Sequence, residues 1–145
     1  MLEDVARATA LSESRLQGVV PTPEPAPKLP GMTLPACPAT PNCVSSQADD
    51  ETHFVAPIEA GDDGLDRLAA LIERTPRASV HSRTATSLHA VFISAVFRFR
   101  DDLHAEVGSY EGRPVLHVRS GSRLGVSDLG VNRRRVEWIR DELTS

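Results

Sequence analysis

Apolar residues recur three and four positions apart in the segment after Gly61, and this spacing predicts an amphipathic helix. The positions that define the predicted buried face are Leu65, Leu68, Ala69 and Ile72. Asp62 or Asp63 can cap the start of this helix, and Pro76 ends it. The preceding run 53–58 reads as a short strand, which Pro57 confines to a sheet edge or a strand end.

From Ala78 to Val107 the spacing of apolar residues changes to two, which is typical of antiparallel strands with one face on a core. The alternating apolar positions are Leu88, Ala90, Phe92, Ala95, Phe97, Phe99, Leu103, Ala105 and Val107. A turn is expected near 100–102 and another at 111–112. After the second turn, Leu116 and Val118 should face inward, with His117 and Arg119 facing outward.

The last segment carries an apolar stripe at helical spacing, formed by Val131, Val136, Ile139 and Leu143. Asn132 falls in the middle of this stripe and Arg135 at its border. A buried amide must find hydrogen-bond partners, so we expect Asn132 to tie the preceding loop to the helix. Ser127 or Asp128 would cap the helix.

The order of these elements is strand, helix, about four strands and helix, without the alternation of a parallel α/β fold. It predicts an α+β protein with an antiparallel β-sheet and two helices packed on one face. In a helix-grip version, the sheet would curl around the C-terminal helix. We assign residues 34–145 to a single α+β domain. Residues 1–33 form a flexible tail and an extended Pro-rich linker, because eight prolines lie between Pro21 and Pro41.

Composition narrows the class of protein further. The chain has 145 residues, 40% of them hydrophobic, which fits a soluble globular domain. A net charge of -4 argues against general nucleic-acid binding, although Arg133 to Arg135 form a local basic spot. No apolar run reaches the roughly 20 residues that span a bilayer, and the N-terminus does not resemble a signal peptide. The chain as written therefore favours a cytoplasmic location.

The only two cysteines, Cys37 and Cys43, lie in a short clip that continues through Gln47. Their number and spacing allow a disulfide, a weak metal pair or two free thiols. Two of the five residues between them are prolines, and Asn42 tolerates a left-handed turn. We expect the cysteines to close the clip under oxidising conditions, and we include Asn42, Ser45 and Ser46 in it.

The clip and the segment Arg119–Arg135 together resemble the two signatures of the family called domain of unknown function 1499. The resemblance runs from about Leu34 to the C-terminus and implies no established activity. Many members resemble envelope or plastid-lumen proteins with an N-terminal membrane segment, which this chain does not show. An envelope or periplasmic location is what the resemblance implies.

The segment 119–135 also concentrates the candidate chemistry. Guanidinium groups and the N-terminus of the last helix both favour a negative charge there. The predicted ligand-binding residues are Arg119, Ser120, Ser122, Arg123, Asp128, Asn132, Arg133 and Arg135. The alternative is that Arg119 and Arg135 pair with Asp101, Asp102 or Asp128 and lock the loop, and the usual pairing of buried arginines favours it.

We interpret the chain as a non-catalytic ligand-binding or interaction domain for a small anionic ligand or a protein partner. The site would combine the 119–135 loop, the clip and the polar outer surface of the strands, including His104 and His117. We predict no cofactor, and scattered histidines with two cysteines are a poor zinc site. The first alternative is a hydrolase or transferase that pairs Cys43, Ser46 or Ser120 with a histidine. The second is an envelope-associated structural protein.

Overall fold

A computed structural model describes residues 33–125 and 127–144. The tail and Pro-rich linker predicted for residues 1–33 lie outside the described residues, except for Thr33. The elements in chain order are β1 (Cys43–Ser45), α1 (Gly64–Glu73), β2 (Ala78–Arg83), β3 (Ser87–Ile93), β4 (Arg100–Tyr110), β5 (Arg113–Ser122) and α2 (Val131–Thr144).

The strands form one five-stranded antiparallel sheet in the order β1-β5-β4-β3-β2. Strands β2 to β5 follow one another as hairpins, and β1 closes the far edge by pairing with β5. The α+β class and the antiparallel sheet that the sequence predicts are therefore confirmed.

Both helices pack on the same face of the sheet, because alternate strand residues contribute to one apolar cluster with them. Leu68 and Ile72 of α1 and Ile139 of α2 are fully buried. Each such side chain contributes about 1.5 to 3 kcal/mol relative to an exposed one. The sheet side of the cluster consists of Val44, Leu88, Ala90, Phe92, Leu103, Ala105, Leu116 and Val118. The periodicity of α1 and the inward orientation of Leu116 and Val118 are thus confirmed. In α2, Val136, Ile139 and Leu143 are buried as predicted, but Val131, the first residue of the helix, is exposed.

The continuous strand predicted for 53–58 is wrong. Only two isolated bridges occur there, Phe54 with Ser45 and Ile58 with Leu116. Several carbonyl groups in and beside this segment are bound by two arginines of α2. Arg133 donates to the carbonyls of Thr52 and Phe54, and Arg140 donates to those of Ala56 and Pro57. Backbone hydrogen bonds to Ser45 and Leu116 hold the two ends of the segment, and α2 holds its middle, where Pro57 lacks an N–H group.

The turn predicted near 100–102 is displaced toward the N-terminus. Asp101 and Asp102 lie inside β4, and the β3–β4 connection runs through 94–99. Ser94 closes this connection, because its N–H donates to the Phe99 carbonyl and its hydroxyl accepts the Phe99 N–H. Ala95, Phe97 and Phe99, predicted to face inward, are consequently exposed. Val107, near the β4–β5 turn, is also half exposed rather than buried.

Candidate functional site

The polar residues of the segment 119–135 are divided between the two faces of the sheet. Successive strand residues point to opposite faces, and Leu103 and Val118 mark the face that the helices cover. Ser120 pairs with Leu103 and therefore faces the helices. Arg119 pairs with His104 and therefore points to the opposite, open face. The arginines on the two faces therefore have different surroundings and different partners.

On the helix-covered face, Asn132 organises a buried polar network. Its side chain is fully buried, as the helical stripe predicts. The amide oxygen accepts hydrogen bonds from Ser120 Oγ and Arg135 Nη1, both at 2.7 Å. Three acceptors surround the amide nitrogen: Asp128 Oδ2 at 2.6 Å, Ser122 Oγ at 2.9 Å and the Asn42 carbonyl at 3.2 Å. The network therefore joins α2, β5 and the clip.

Arg135 supplies the positive charge of this network. Its Nη2 lies 2.8 Å from Asp101 Oδ2, and both side chains are almost completely shielded from solvent. The guanidinium carbon lies 4.6 Å from the centre of the Phe92 ring, a cation–π contact. Arg135 is thus held by a carboxylate and locks α2 onto β4, which confirms the locking interpretation for this arginine.

Asp128 and Asn42 connect the loop itself to the network. Asp128 Oδ2 accepts the N–H of Asn132, so this carboxylate caps the first turn of α2. Burial raises the pKa of Asp128, but hydrogen bonds from Asn132 and Gly130 outweigh that effect and lower it. The Asn42 amide donates to the carbonyls of Leu124 and Gly125. The clip therefore fixes the 119–135 loop directly.

The open face carries a cross-strand row of three basic or titratable side chains, His89, His104 and Arg119, which we call the open-face row. Sheet register places His89 opposite His104 and His104 opposite Arg119. The two imidazole rings stack with centroids 4.4 Å apart and planes 2° from parallel. Cross-strand neighbours of this kind lie within about 5.5 Å at Cβ, so their polar ends can meet one ligand.

Asp102 supports one end of this row. Its carboxylate accepts two hydrogen bonds from Arg123, at 2.8 and 2.9 Å, and one from His89 Nε2 at 2.7 Å. Burial raises the pKa of Asp102, but the hydrogen bonds from Arg123 and His89 prevail and bring it to about 2. The charge of Arg123 is therefore already neutralised by Asp102.

Arg119 has no such carboxylate partner in the described part of the chain. Its only hydrogen bond there is a long one, 3.4 Å from Nη2 to the Ala36 carbonyl. Its Nε is covered by protein and makes no hydrogen bond. Burial lowers the pKa of Arg119, and the charge of Asp102 opposes this only in part.

Gly121 makes room for this arginine and for the clip. A Cβ atom there would lie 3.1 Å from Cys43 Sγ and 3.2 Å from Arg119 Nη1. Both distances are too short for ordinary contact, so the absence of a side chain lets the disulfide and the guanidinium pack on the strand. Cys37 and Cys43 form this disulfide, which confirms that the clip can close.

A cleft of about 350 Å³ adjoins the open-face row. Its wall on one side is the segment Thr33–Pro35, and the lining on the sheet side includes Ser82, His89, His104 and Glu106. Gln47 holds the wall in place, because its side-chain oxygen accepts the N–H groups of Thr33 and Leu34 at 3.0 and 2.8 Å. The clip thus shapes the cleft as well as the loop.

One serine and one histidine of the catalytic alternative do meet. Ser46 Oγ lies 2.9 Å from His117 Nδ1, and His117 Nε2 lies 2.9 Å from the Ser109 carbonyl. Ser46 Oγ also accepts the Val118 N–H, and the residue is only 3% exposed. The other two candidate nucleophiles are engaged: Cys43 in the disulfide, and Ser120, fully buried, as a donor to Asn132.

The remaining predicted ligand residues are placed as follows. Ser122 belongs to the Asn132 network, and Ser45 Oγ accepts the Gln47 N–H inside the clip. Arg133 binds the carbonyls of Thr52 and Phe54, away from the open face. Across residues 33–125 and 127–144, no three His, Cys, Asp or Glu side chains are grouped as metal ligands. No helix in those same ranges is long and apolar enough to cross a membrane.

The fold and site define an α+β domain whose sheet has one helix-covered face and one open face walled by a disulfide clip. The chain belongs to the family described as protein of unknown function (DUF1499), whose model matches residues 33–143. This confirms the resemblance that the clip and the 119–135 segment indicate. No curated protein matches the chain.

Sequence reasoning missed His89 and the Ala36 carbonyl, just before the clip, as parts of this arrangement. Two glycines inside strands were the available signals, since glycine within a strand often marks a close approach. Gly121 lies under the disulfide and Arg119, and a Cβ at Gly108 would lie 2.9 Å from His117 Cδ2. Neither signal says which side chain makes the approach.

Proposed function

We propose that this protein is a non-catalytic binding domain for a small anion, a phosphate or carboxylate group held on the open face. Arg119 would supply the charge-assisted hydrogen bonds, and His104 and His89 would contact the same group from the neighbouring strands. The supporting observation is Arg119 itself: a partly buried guanidinium with no carboxylate partner in the described part of the chain.

Burying a cation without a counterion is unfavourable, so such a group stabilises the protein only when something compensates it. Arg135 is compensated by Asp101 and Arg123 by Asp102. Among the described residues, Arg119 has only the Ala36 carbonyl, at 3.4 Å, as a hydrogen-bond acceptor. An anion that binds its Nη groups would replace this weak contact with charge-assisted hydrogen bonds, which are about twice as strong as neutral ones.

The surroundings of Arg119 restrict the size of the ligand. The disulfide packs on Gly121 beside the guanidinium, and the segment Thr33–Pro35 forms one wall of the adjoining cleft. Glu106 lies on the cleft lining, so a ligand with a hydroxyl or amine donor beside its anionic group suits the site better than a bare anion. We therefore expect small polar acids or phosphate esters rather than polyanions.

The experiment follows the arginine Nε–Hε resonances by NMR while inorganic phosphate or malonate is added to the full chain. The resonance of Arg119, assigned by its loss in Arg119→Lys, should shift and saturate. Arg113→Gln is the matched control, because Arg113 is an exposed arginine of the same strand at its other end. It should leave the response unchanged. An Arg119 resonance that does not respond to either anion, while Arg113 responds equally or more, would overturn the proposal.

A second candidate function is hydrolysis by Ser46 with His117 as the base, and the 2.9 Å separation favours it. A hydroxyl that donates to an imidazole whose other nitrogen is fixed is the arrangement of an activated nucleophile. The test is labelling of the full chain by a fluorophosphonate. Labelling that Ser46→Ala abolishes would establish this function. No labelling would leave the Ser46–His117 contact as a link between the clip and β5.

A further inference from the structure

One end of the sheet exposes a group of large apolar side chains on two adjacent loops. The β3–β4 loop presents Val96, Phe97 and Phe99, which are 79%, 72% and 50% exposed. The loop before α2 presents Leu124 and Leu129, which are 72% and 85% exposed. We call these five residues the apolar tip. Exposed apolar groups this concentrated usually mark an interaction surface.

The two loops lie side by side because they leave the sheet at the same end. The Arg123 N–H donates to the Arg100 carbonyl at 3.0 Å, immediately after one loop and before the other. Within the β3–β4 loop, Ser94 and Phe99 are joined by two hydrogen bonds, and the Phe97 and Phe99 rings stack 5.5 Å apart. Arg98 between them has a φ of 59°, a left-handed turn. The aromatic rings are thus held outward by the backbone.

Four arginines surround the apolar tip: Arg77, Arg98, Arg100 and Arg134. We call them the arginine rim. Arg77 precedes β2 at this end of the sheet, where its carbonyl accepts the Ile93 N–H, and Arg134 donates to the Leu129 carbonyl. None of the four forms an ion pair within the described residues.

The carboxylates at the same end are already used elsewhere. Asp101 pairs with Arg135, Asp102 pairs with Arg123, and Asp128 caps α2. The arginine rim is therefore positive on a chain whose net charge is -4. One end of the domain is therefore basic and apolar, whereas the rest of the chain carries a net negative charge.

We propose that this end of the domain docks on an anionic lipid bilayer. The apolar tip would enter the boundary between headgroups and acyl chains, and the arginine rim would meet lipid phosphates. Side chains on projecting loop tips suit a soft, flat surface better than a partner protein, whose surface would need a matching groove. The positive charge of the rim favours anionic over neutral lipid, because each basic residue near an anionic surface raises the binding constant about fivefold.

Sedimentation of the full chain with vesicles tests this proposal. Vesicles of phosphatidylcholine mixed with phosphatidylserine should bind the protein, vesicles of phosphatidylcholine alone should bind much less, and added salt should weaken binding. The double variant Phe97→Ser/Phe99→Ser should lose binding to both. The double variant Arg98→Gln/Arg100→Gln should lose about 25-fold, the product of two fivefold effects, on the anionic vesicles.

Two matched controls lie at the opposite end of the sheet. Val107→Ser removes an exposed apolar side chain and Arg113→Gln removes an exposed arginine, and neither should change vesicle binding. Because the residues of the tip are exposed, all variants should keep the melting temperature of the parent. If Phe97→Ser/Phe99→Ser lowers the melting temperature, Phe97→Gln alone replaces it and its vesicle binding is scored in the same way.

Equal binding to both kinds of vesicle, or binding that survives both double variants, would overturn the proposal. Absence of vesicle binding together with a dimer that Phe97→Ser/Phe99→Ser dissociates would overturn it too, and would make a second copy the occupant. Arg119→Gln should bind vesicles normally. This variant separates the lipid surface from the anion site of the open face.

Discussion

Asn132 joins three parts of the chain that are far apart in sequence: α2, β5 and the clip. Its amide is fully buried and contacts Ser120, Ser122 and the Asn42 carbonyl. A leucine of similar size would fill the same space but would leave these polar groups without their partner. A buried group that loses its hydrogen bond costs more than the bond itself contributes.

We predict that Asn132→Leu lowers the free energy of unfolding by about 1 to 3 kcal/mol, measured by urea denaturation. The matched control is Asp141→Leu, an exposed position of the same helix, which should change stability by at most about 0.5 kcal/mol. An Asn132→Leu protein as stable as the parent would show that the network contributes nothing.

Asp102 makes the stability of the domain depend on pH in the acidic range. Its pKa falls from 3.8 to about 2 because Arg123 and His89 outweigh the effect of burial. A carboxyl with a lower pKa in the folded state stabilises the protein fully above about pH 4 and loses this contribution as pH falls toward 2. Allowing for solvent screening, the contribution is about 1 to 2 kcal/mol.

We predict that Asp102→Asn flattens the loss of stability between pH 4 and pH 2 relative to the parent. Urea midpoints at a series of pH values give the difference. Asp141→Asn, an exposed carboxyl outside the cluster, should leave the profile unchanged. Identical slopes in Asp102→Asn and the parent would remove Asp102 as the source.

The individual residues differ in how far sequence could place them. Helical periodicity places Asn132 correctly, because a repeat of 3.6 residues is a local property. The partner of Arg135 could not be assigned. Asp101 is 34 positions away and stood in a predicted turn, and its true position depends on strand register. Register is fixed by the packed core and not by the hairpin sequence alone.

At the scale of elements, the clip supports both the cleft of the open face and the 119–135 loop. Its disulfide packs on Gly121 of β5, and Asn42 binds the carbonyls of Leu124 and Gly125. His53 holds the middle of the clip, with Nε2 at 2.9 Å from the Thr40 carbonyl and Nδ1 at 2.6 Å from Asp50. Besides its covalent closure, the clip is thus held by three hydrogen bonds, two from Asn42 and one at Thr40.

We predict that reducing the disulfide lowers the free energy of unfolding by about 2 kcal/mol and leaves the domain folded. The value reflects the short loop that the bond closes, and the core lies under the helices instead. Urea denaturation with and without a reductant measures it. Cys37→Ser, unaffected by reductant, is the control. Complete unfolding on reduction would contradict the limited role of the clip.

We also predict that His53 contributes stability that is lost as pH rises. The hydrogen bond to the Thr40 carbonyl and the contact with Asp50 raise the pKa of His53 against the opposing effect of burial. A histidine with a raised pKa stabilises the fold fully below about pH 6.5 and loses this contribution as pH rises through the folded value. Urea midpoints between pH 5.5 and 8.5 should fall for the parent and fall less for His53→Gln. Parallel profiles would contradict this.

The observed helices and strands match the sequence predictions where core packing and the local preference of the residues agree. The segment 53–58 has strand composition, yet Arg133 and Arg140 bind the carbonyls of Phe54, Ala56 and Pro57, and the segment forms only isolated bridges. The true first strand, Cys43–Ser45, is three residues long and carries no alternation to detect. Phe97 and Phe99 keep the alternating pattern of β4 but belong to the loop before it.

At the scale of the whole molecule, the polar residues of 119–135 are divided between two faces, to which we assign two different tasks. Those on the helix-covered face hold the fold together through Asn132 and the Arg135–Asp101 pair. Arg119, on the open face, has no carboxylate partner in the described part of the chain and is the proposed contact for an anion. Sequence predicted this segment as the site, but only the sheet register separates the two tasks.

The most direct test of this division compares Arg119→Gln with Arg135→Gln for both stability and phosphate binding. Arg135→Gln should lower the free energy of unfolding by about 3 to 5 kcal/mol, because it leaves Asp101 buried without its partner. Arg119→Gln should keep or raise stability, since it removes a partly buried charge that has no hydrogen-bonded carboxylate among the described residues, and should abolish phosphate binding. An Arg119→Gln protein that is less stable than the parent and still binds phosphate would contradict the account.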